Sequence, residues 1–241
     1  MKKNLFFWIM ALMICAAVGC ADKSSSLETD DNTRNEEELW ETGVWESPHF
    51  ITDYLVPSAI AVVVDEKGVL NLKVSGAEYP TTEEVIPDEA KYFIKLYGDT
   101  AYEGYVHPGM SPALSYPIDK ITIYCDKDFD AKHAAGEPLD DIAQLDFNSF
   151  YPFVKNGYQY FPRTEESPNG DTVHYELTFN SVDAELTKLI QAKFLTNKIS
   201  PSYVAKIEFC STPEVPGEYT FNLAVTINGE VMTTTFTHTF E

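Results

Sequence analysis

Pro216-Gly217-Glu218-Tyr219-Thr220-Phe221-Asn222-Leu223-Ala224-Val225-Thr226-Ile227 runs through Asn228-Gly229 into Glu230-Val231 and on to Phe240. Tyr219, Phe221, Leu223, Val225 and Ile227 occupy every second position, the period of a strand with one buried face. Asn-Gly between two strand-like runs sets a two-residue hairpin, because a type I′ turn needs φ > 0 at both central residues. This hairpin decides an antiparallel, all-β reading.

Upstream, the pattern stays mostly β. Ala59-Ile60-Ala61-Val62-Val63-Val64 reads as a buried strand, rich in β-branched residues. Asp65-Glu66-Lys67-Gly68 turns the chain, and Val69, Leu70, Leu72 and Val74 continue as its hairpin partner. Lys91 to Tyr97 alternates again, and Ala101 to Val106 follows a Gly98-Asp99 turn. Pro108, Pro112 and Pro117 break the chain before the strand Ile121–Cys125. Val173, Tyr175, Leu177 and Phe179 share one face of another strand.

One amphipathic helix is expected among the strands, over about 182–196. Val182, Leu186, Leu189, Ile190 and Phe194 fall at helical spacing, with Asn180 or Ser181 to cap the start and Pro201 to forbid continuation. A shorter helix is expected over Leu139 to Leu145.

The other end of the chain carries an address. Lys2 and Lys3 precede an apolar run from Leu5 to Val18, and Ala17-Val18-Gly19-Cys20 closes it with small residues before a cysteine. The run is short for a bilayer span of about 20 residues. It resembles a bacterial lipoprotein signal, which implies that Cys20 is lipidated and becomes the mature N-terminus. Ala17 stands where many lipoprotein boxes have Leu, and such looser boxes resemble those of the Bacteroides group. Residues 21–41, with Ser24-Ser25-Ser26, Asp30-Asp31 and Glu36-Glu37-Glu38, hold too few apolar side chains to fold and read as a charged tether. Its serine and acidic residues resemble the export tag of surface-exposed Bacteroides-type lipoproteins. The expected organisation is a signal over 1–20, the tether over 21–41 and a single elaborated sandwich over 42–241, a split near Pro108–Pro117 being the alternative.

Removing residues 1–20 takes away Lys2 and Lys3 and no acid, so the formal net charge moves from −21 to −23. Such a surface repels phosphate backbones, and the lysines form no patch, which excludes nucleic acid as a partner. With Cys15 and Cys20 set aside, Cys125 and Cys210 remain, each at the end of a strand-like run. An oxidising compartment permits a disulfide between them, the alternative being two separate buried thiols.

Several constellations bear chemistry. Asp126, Asp128 and Asp130, with Glu137 eleven residues after the first, have the acidic spacing of a calcium loop. Ala131 stands where the EF-hand needs glycine and a strand precedes the loop, leaving a non-EF calcium site at a sandwich tip or a solvated acidic turn. Rings crowd 147–161, and Phe150, Tyr151, Tyr158 and Tyr160 are candidates to stack on a glycan or seat a protein, the alternative being a core beneath a long loop. Catalytic signatures are thin: no nucleophile elbow, phosphate loop, dinucleotide fingerprint or zinc helix pair occurs. His174 and His238 alternate with threonines and read as solvent-facing.

Pro216-Gly217-Glu218-Tyr219 resembles the corner tyrosine of immunoglobulin-like sandwiches, over about the last thirty residues and without the paired-cysteine and tryptophan signature of antibody domains. The whole chain resembles Bacteroides-type lipoproteins built on such sandwiches. That resemblance implies location and fold and no activity. Asp99-Thr100-Ala101 and Asp171-Thr172-Val173 resemble the O-glycosylation signal of exported proteins of that group, making Thr100 and Thr172 candidate acceptors. The expectation is therefore an Ig-like antiparallel β-sandwich with one inserted helix, held at the outer membrane by lipid. It would act as a binding or adhesion module for a glycan or protein rather than as an enzyme, calcium being the one candidate cofactor. The alternatives are a structural accessory subunit of an envelope complex and a hydrolase using paired carboxylates.

Overall fold

The computed structural model describes residues 45–106, 108–193 and 202–241, which belong to one compact unit. Residues 1–44 lie outside the described residues, and with them the signal, Cys20 and the tether.

The C-terminal hairpin forms as its sequence requires. β10 (Gly217–Ile227) and β11 (Glu230–Phe240) pair antiparallel from Gly217↔Phe240 to Ile227↔Glu230. Asn228 and Gly229 take φ of 52° and 75° between them. Tyr219, Phe221, Leu223, Val225 and Ile227 are all buried, and the Tyr219 hydroxyl donates to the Val215 carbonyl at 2.7 Å. β6 (Ile118–Cys125) pairs on the other side of β10, giving a three-stranded sheet in the order β11-β10-β6.

A six-stranded sheet has the order β5-β2-β3-β9-β7-β8, built from β2 (Asp53–Val64), β3 (Leu70–Pro80), β5 (Pro112–Leu114), β7 (Ala143–Ser149), β8 (Val173–Thr178) and β9 (Ser202–Phe209). Among the described residues only the short β2–β5 pair is parallel. β1 (Trp45–Ser47) and β4 (Gly104–Val106) form a small separate pair. One apolar cluster joins the two larger sheets, with Leu72, Leu145 and Ile207 from one and Ile121, Ile123, Phe221 and Leu223 from the other. Phe129 closes one end of it against Phe209, Tyr219 and Phe240. The chain is thus mostly β with antiparallel sheets, as its alternation implies.

Four local expectations fail. Residues 91–97 lie in a helix, α1 (Asp88–Tyr97), rather than a strand. Ala90, Phe93, Ile94 and Tyr97 bury at helical spacing, Asp88 and Glu89 sit in the first turn, and Gly98 closes the helix at φ 71°. This stripe packs on a second cluster with Phe50, Tyr54, Phe150 and Phe153, the last from the one-turn helix α2 (Tyr151–Lys155).

The amphipathic helix expected over 182–196 is absent from its described part, 182–193. A 3-10 turn at Phe179–Ser181 is followed by Val182 in an extended conformation, then by turns. The apolar residues there are spent on sheet edges instead. Leu114 donates its N–H to Ile190, Ala192 donates to Pro112, Phe150 donates to Leu189 and Gln191 donates to Asn148. Residues 194–196 lie outside the described residues. The short helix expected at Leu139–Leu145 is a tight turn at Leu139 that runs into β7.

Ala59–Val64 does form strand, but not a buried one: Ile60 alone is buried, and Val63 and Val64 are exposed. β5 covers the outer side of β2 only from Asp53 to Leu55, which leaves the rest as an edge. Among the described residues no helix is long and apolar enough to cross a membrane.

Candidate functional site

The candidate calcium loop folds on itself. Asp126 accepts from the Thr220 N–H at 2.9 Å, and that bond holds its carboxyl below the usual carboxylate range. Asp128 accepts from the Ala135 N–H at 2.8 Å, and Glu137 is exposed. Asp130 accepts from the Lys132 and His133 N–H groups and meets the His133 ring. No group of three or more His, Cys, Asp or Glu side chains converges on a metal position among the described residues. The acids at 126, 128 and 130 therefore each accept from a backbone N–H, and Glu137 faces solvent.

The same loop contains an ion cluster that sequence reasoning missed. The buried His133 ring lies between Asp130 at 2.8 Å through Nδ1 and Asp141 at 3.0 Å through Nε2. The hydrogen bond to Asp130 leads in pushing its pKa above the ordinary histidine value.

The aromatic candidates separate. Phe150 is fully buried, at 5.3 Å from Phe50, and belongs to the core rather than to a binding face. Tyr158 is half-buried and donates its hydroxyl to Asp99 at 2.9 Å. Tyr151 lies under the ammonium groups of Lys155 and Lys188, at 5.2 and 4.8 Å from its ring. Only Tyr160 stands exposed. Cys125 and Cys210 are free thiols and not a disulfide: Cys125 is buried with its Sγ donating to the Lys127 carbonyl, while Cys210 is exposed. Thr100 is exposed, but Thr172 is buried and gives both its N–H and its hydroxyl to Ser167 Oγ, so it is closed to modification.

The polar concavity lies elsewhere, on the outer face of β9-β7-β8. In β7, Leu145 and Phe147 turn to the core, which sends Asp146 and Asn148 to the other face. Register sets Lys206 and Glu176 on either side of Asp146, and His174 beside Asn148. These five residues floor a cleft of about 420 Å³, walled by Glu165, Glu166, Gln191 and Lys193. Lys206 pairs with Asp146 at 2.9 Å, and that bond raises the Lys206 pKa. His174 sits 3.5 Å from Asp146 through Nδ1 and 3.4 Å from Glu176 through Nε2. His174 is thus half-buried among acids, not solvent-facing.

A folded-back loop forms one wall. The Phe161 N–H donates to Gly170 and the Gly170 N–H to Ser167, with Gly170 at φ 75° where a β-carbon would run into the Phe161 carbonyl. Asn148 Nδ2 donates to the Glu166 carbonyl at 3.2 Å and ties this loop to the sheet. The Glu166 carboxyl is held below its usual range by its own backbone N–H and the Thr164 hydroxyl. Among the described residues, two buried atoms in this floor find no hydrogen-bond partner, Asn148 Oδ1 and His174 Nδ1, the latter lying 3.5 Å from Asp146. Each costs about 1–3 kcal/mol when left unpaired, which a core strand would avoid by carrying an apolar pair. The sequence signal for this floor is the polar phase of two alternating segments, 144–148 and 174–178; nothing local says that they pair.

A second, more open groove of about 430 Å³ lies beside α1, lined by Tyr79, Tyr92, Phe93 and Tyr116 with Asp88 and Glu89 at its rim. No family model matches the chain, and no curated protein and no solved structure matches it.

Proposed function

We propose that this protein is a non-catalytic ligand-binding module of the cell envelope, held at the outer membrane by lipid on Cys20. One observation carries the binding reading: the cleft over β7 and β8 contains buried polar atoms, Asn148 Oδ1 and His174 Nδ1, to which the described residues offer no hydrogen bond. Protein interiors rarely keep such atoms, whereas ligand sites combine a concave wall with a few convergent polar groups. The tether and the charge of the chain support presentation of this cleft away from the membrane, and the hydrogen bond from Tyr219 to Val215 supports an Ig-like sandwich as the scaffold.

The test is a thermal-shift screen of the full chain against a library of glycans, peptides and small metabolites. A stabilising hit that disappears in Asn148→Ala supports the reading; a screen without any such hit overturns it. Metabolic labelling with palmitate, lost in Cys20→Ala, tests the anchor. A hydrolase is the second reading, favoured by Asp146, Glu165, Glu166 and Glu176 sharing the cleft with His174. Turnover of chromogenic glycosides by the full chain, abolished in Asp146→Asn, would favour it over binding alone.

A further inference from the structure

We infer that the cleft over β7 and β8 is selective for a small organic cation carrying N–H donors, a primary alkylammonium. This rests on the binding reading above and names its ligand class. Asn148 spends its amide N–H on the Glu166 carbonyl, so the atom left over, Oδ1, can only accept. The residue is nine-tenths buried and lines the cleft. Its register partner His174 faces carboxylates through both ring nitrogens, Glu176 at 3.4 Å from Nε2 and Asp146 at 3.5 Å from Nδ1, so the accepting atom left over in this floor is that of Asn148.

The walls repeat that polarity. Asp146, Glu165, Glu166 and Glu176 are acceptors, against the ammonium groups of Lys193 and Lys206. Lys206 is already engaged by Asp146. An anion meets four carboxylates here and is repelled. A neutral polyol brings as many acceptors as donors and leaves part of the floor unanswered. An alkylammonium brings three donors, no acceptor and a positive charge where four carboxylates outnumber two ammonium groups.

The experiment is titration of the full chain with putrescine, followed by calorimetry and by the His174 imidazole resonances. One saturable equivalent is expected, weakened at least tenfold by Glu176→Gln and by Asn148→Leu, and unchanged by the double variant Glu83→Gln, Glu84→Gln outside the cleft. Lys193→Gln, which removes an ammonium from the wall and leaves the Asn148 bond to Glu166 in place, should tighten binding severalfold. That variant keeps the inference testable if Asn148→Leu does not fold. Several weak equivalents that ignore Glu176 and vanish with salt would mean diffuse counter-ion binding and overturn the inference. N-acetylglucosamine moving the His174 resonances while putrescine leaves them still would overturn the cation but keep the binding reading. Silence from both probes, together with no Asn148-dependent hit in the library screen, would overturn both.

Discussion

Replacing Asp99 by alanine should be among the most damaging single changes in the described chain. Asp99 follows the Gly98 cap of α1 and is fully buried. Its carboxylate accepts from the Phe50 N–H at 2.8 Å, the Ile51 N–H at 2.9 Å and the Tyr158 hydroxyl at 2.9 Å. Its carbonyl meets His49 Nδ1 at 2.6 Å. One side chain thus joins the segment leading into β2, the end of α1 and the loop after α2. Alanine orphans two buried backbone N–H groups, each worth about 1–3 kcal/mol; Tyr158 is half-buried and can turn to water. Against this, the variant no longer buries a charge. Desolvation outweighs the hydrogen bonds and holds the Asp99 carboxyl above the usual carboxylate range. The net loss expected is about 2–4 kcal/mol, or a fall in Tm of about 5–15 °C for a domain of this size. A carboxyl whose folded pKa is raised contributes stability that is complete below the unfolded pKa and is lost as pH rises through the folded value. The gap between wild type and Asp99→Ala should therefore widen from pH 7 to pH 4. Calorimetric scans of both proteins across that range check this. A Tm within 2 °C of wild type, or a gap that narrows on acidification, would refute the reasoning.

His133→Gln should show the pH dependence of a histidine whose pKa is raised by Asp130 and Asp141. The contribution is complete below the unfolded value of about 6.5 and disappears as pH rises through the raised folded value, so urea midpoints of wild type and variant should differ at pH 6 and converge at pH 9. Gly76→Ala should cost at least about 1–3 kcal/mol, because a β-carbon there meets the Val56 carbonyl at the irregular pairing between Pro57 and Ala59, where only backbone movement makes room; its urea midpoint reports this directly. Iodoacetamide should label the exposed Cys210 in the native protein and spare Cys125, whose thiol is buried and pushed up in pKa by that burial. Peptide mass mapping separates the two, and equal labelling would show that Cys125 is not sealed.

How far each part was legible follows from the range of the interactions that hold it. The hairpin of β10 and β11 is legible because its information lies within two residues of each position: alternation chooses the face, and Asn228-Gly229 chooses the turn. α1 was equally legible, since Ala90, Phe93, Ile94 and Tyr97 mark one face and Gly98 marks the stop; reading Lys91–Tyr97 as alternation missed the longer period. Residues 182–193 show the opposite case. Their 3.6-residue spacing is real, yet the N–H groups of Gln191 and Ala192 and the carbonyls of Leu189 and Ile190 are worth more as links between β5 and the end of β7 than within a helix turn.

The acidic loop and the cleft divide along the same line. Composition and spacing place Asp126, Asp128, Asp130 and Glu137 close in sequence, but whether carboxylates converge depends on which backbone donors reach them first, and here Thr220 and Ala135 do. The cleft unites 146–148, 165–166, 174–176, 191–193 and 203–206, segments that no local pattern connects. By itself the sequence determines what short-range physics can set: strand period, turn chirality, the excess of acid and the apolar run before Cys20. Only the tertiary structure decides which strands become neighbours, and so which polar faces meet. Strand pairing is chosen by burial of the apolar face across the whole sheet, and the chemistry of a cleft is a by-product of that choice.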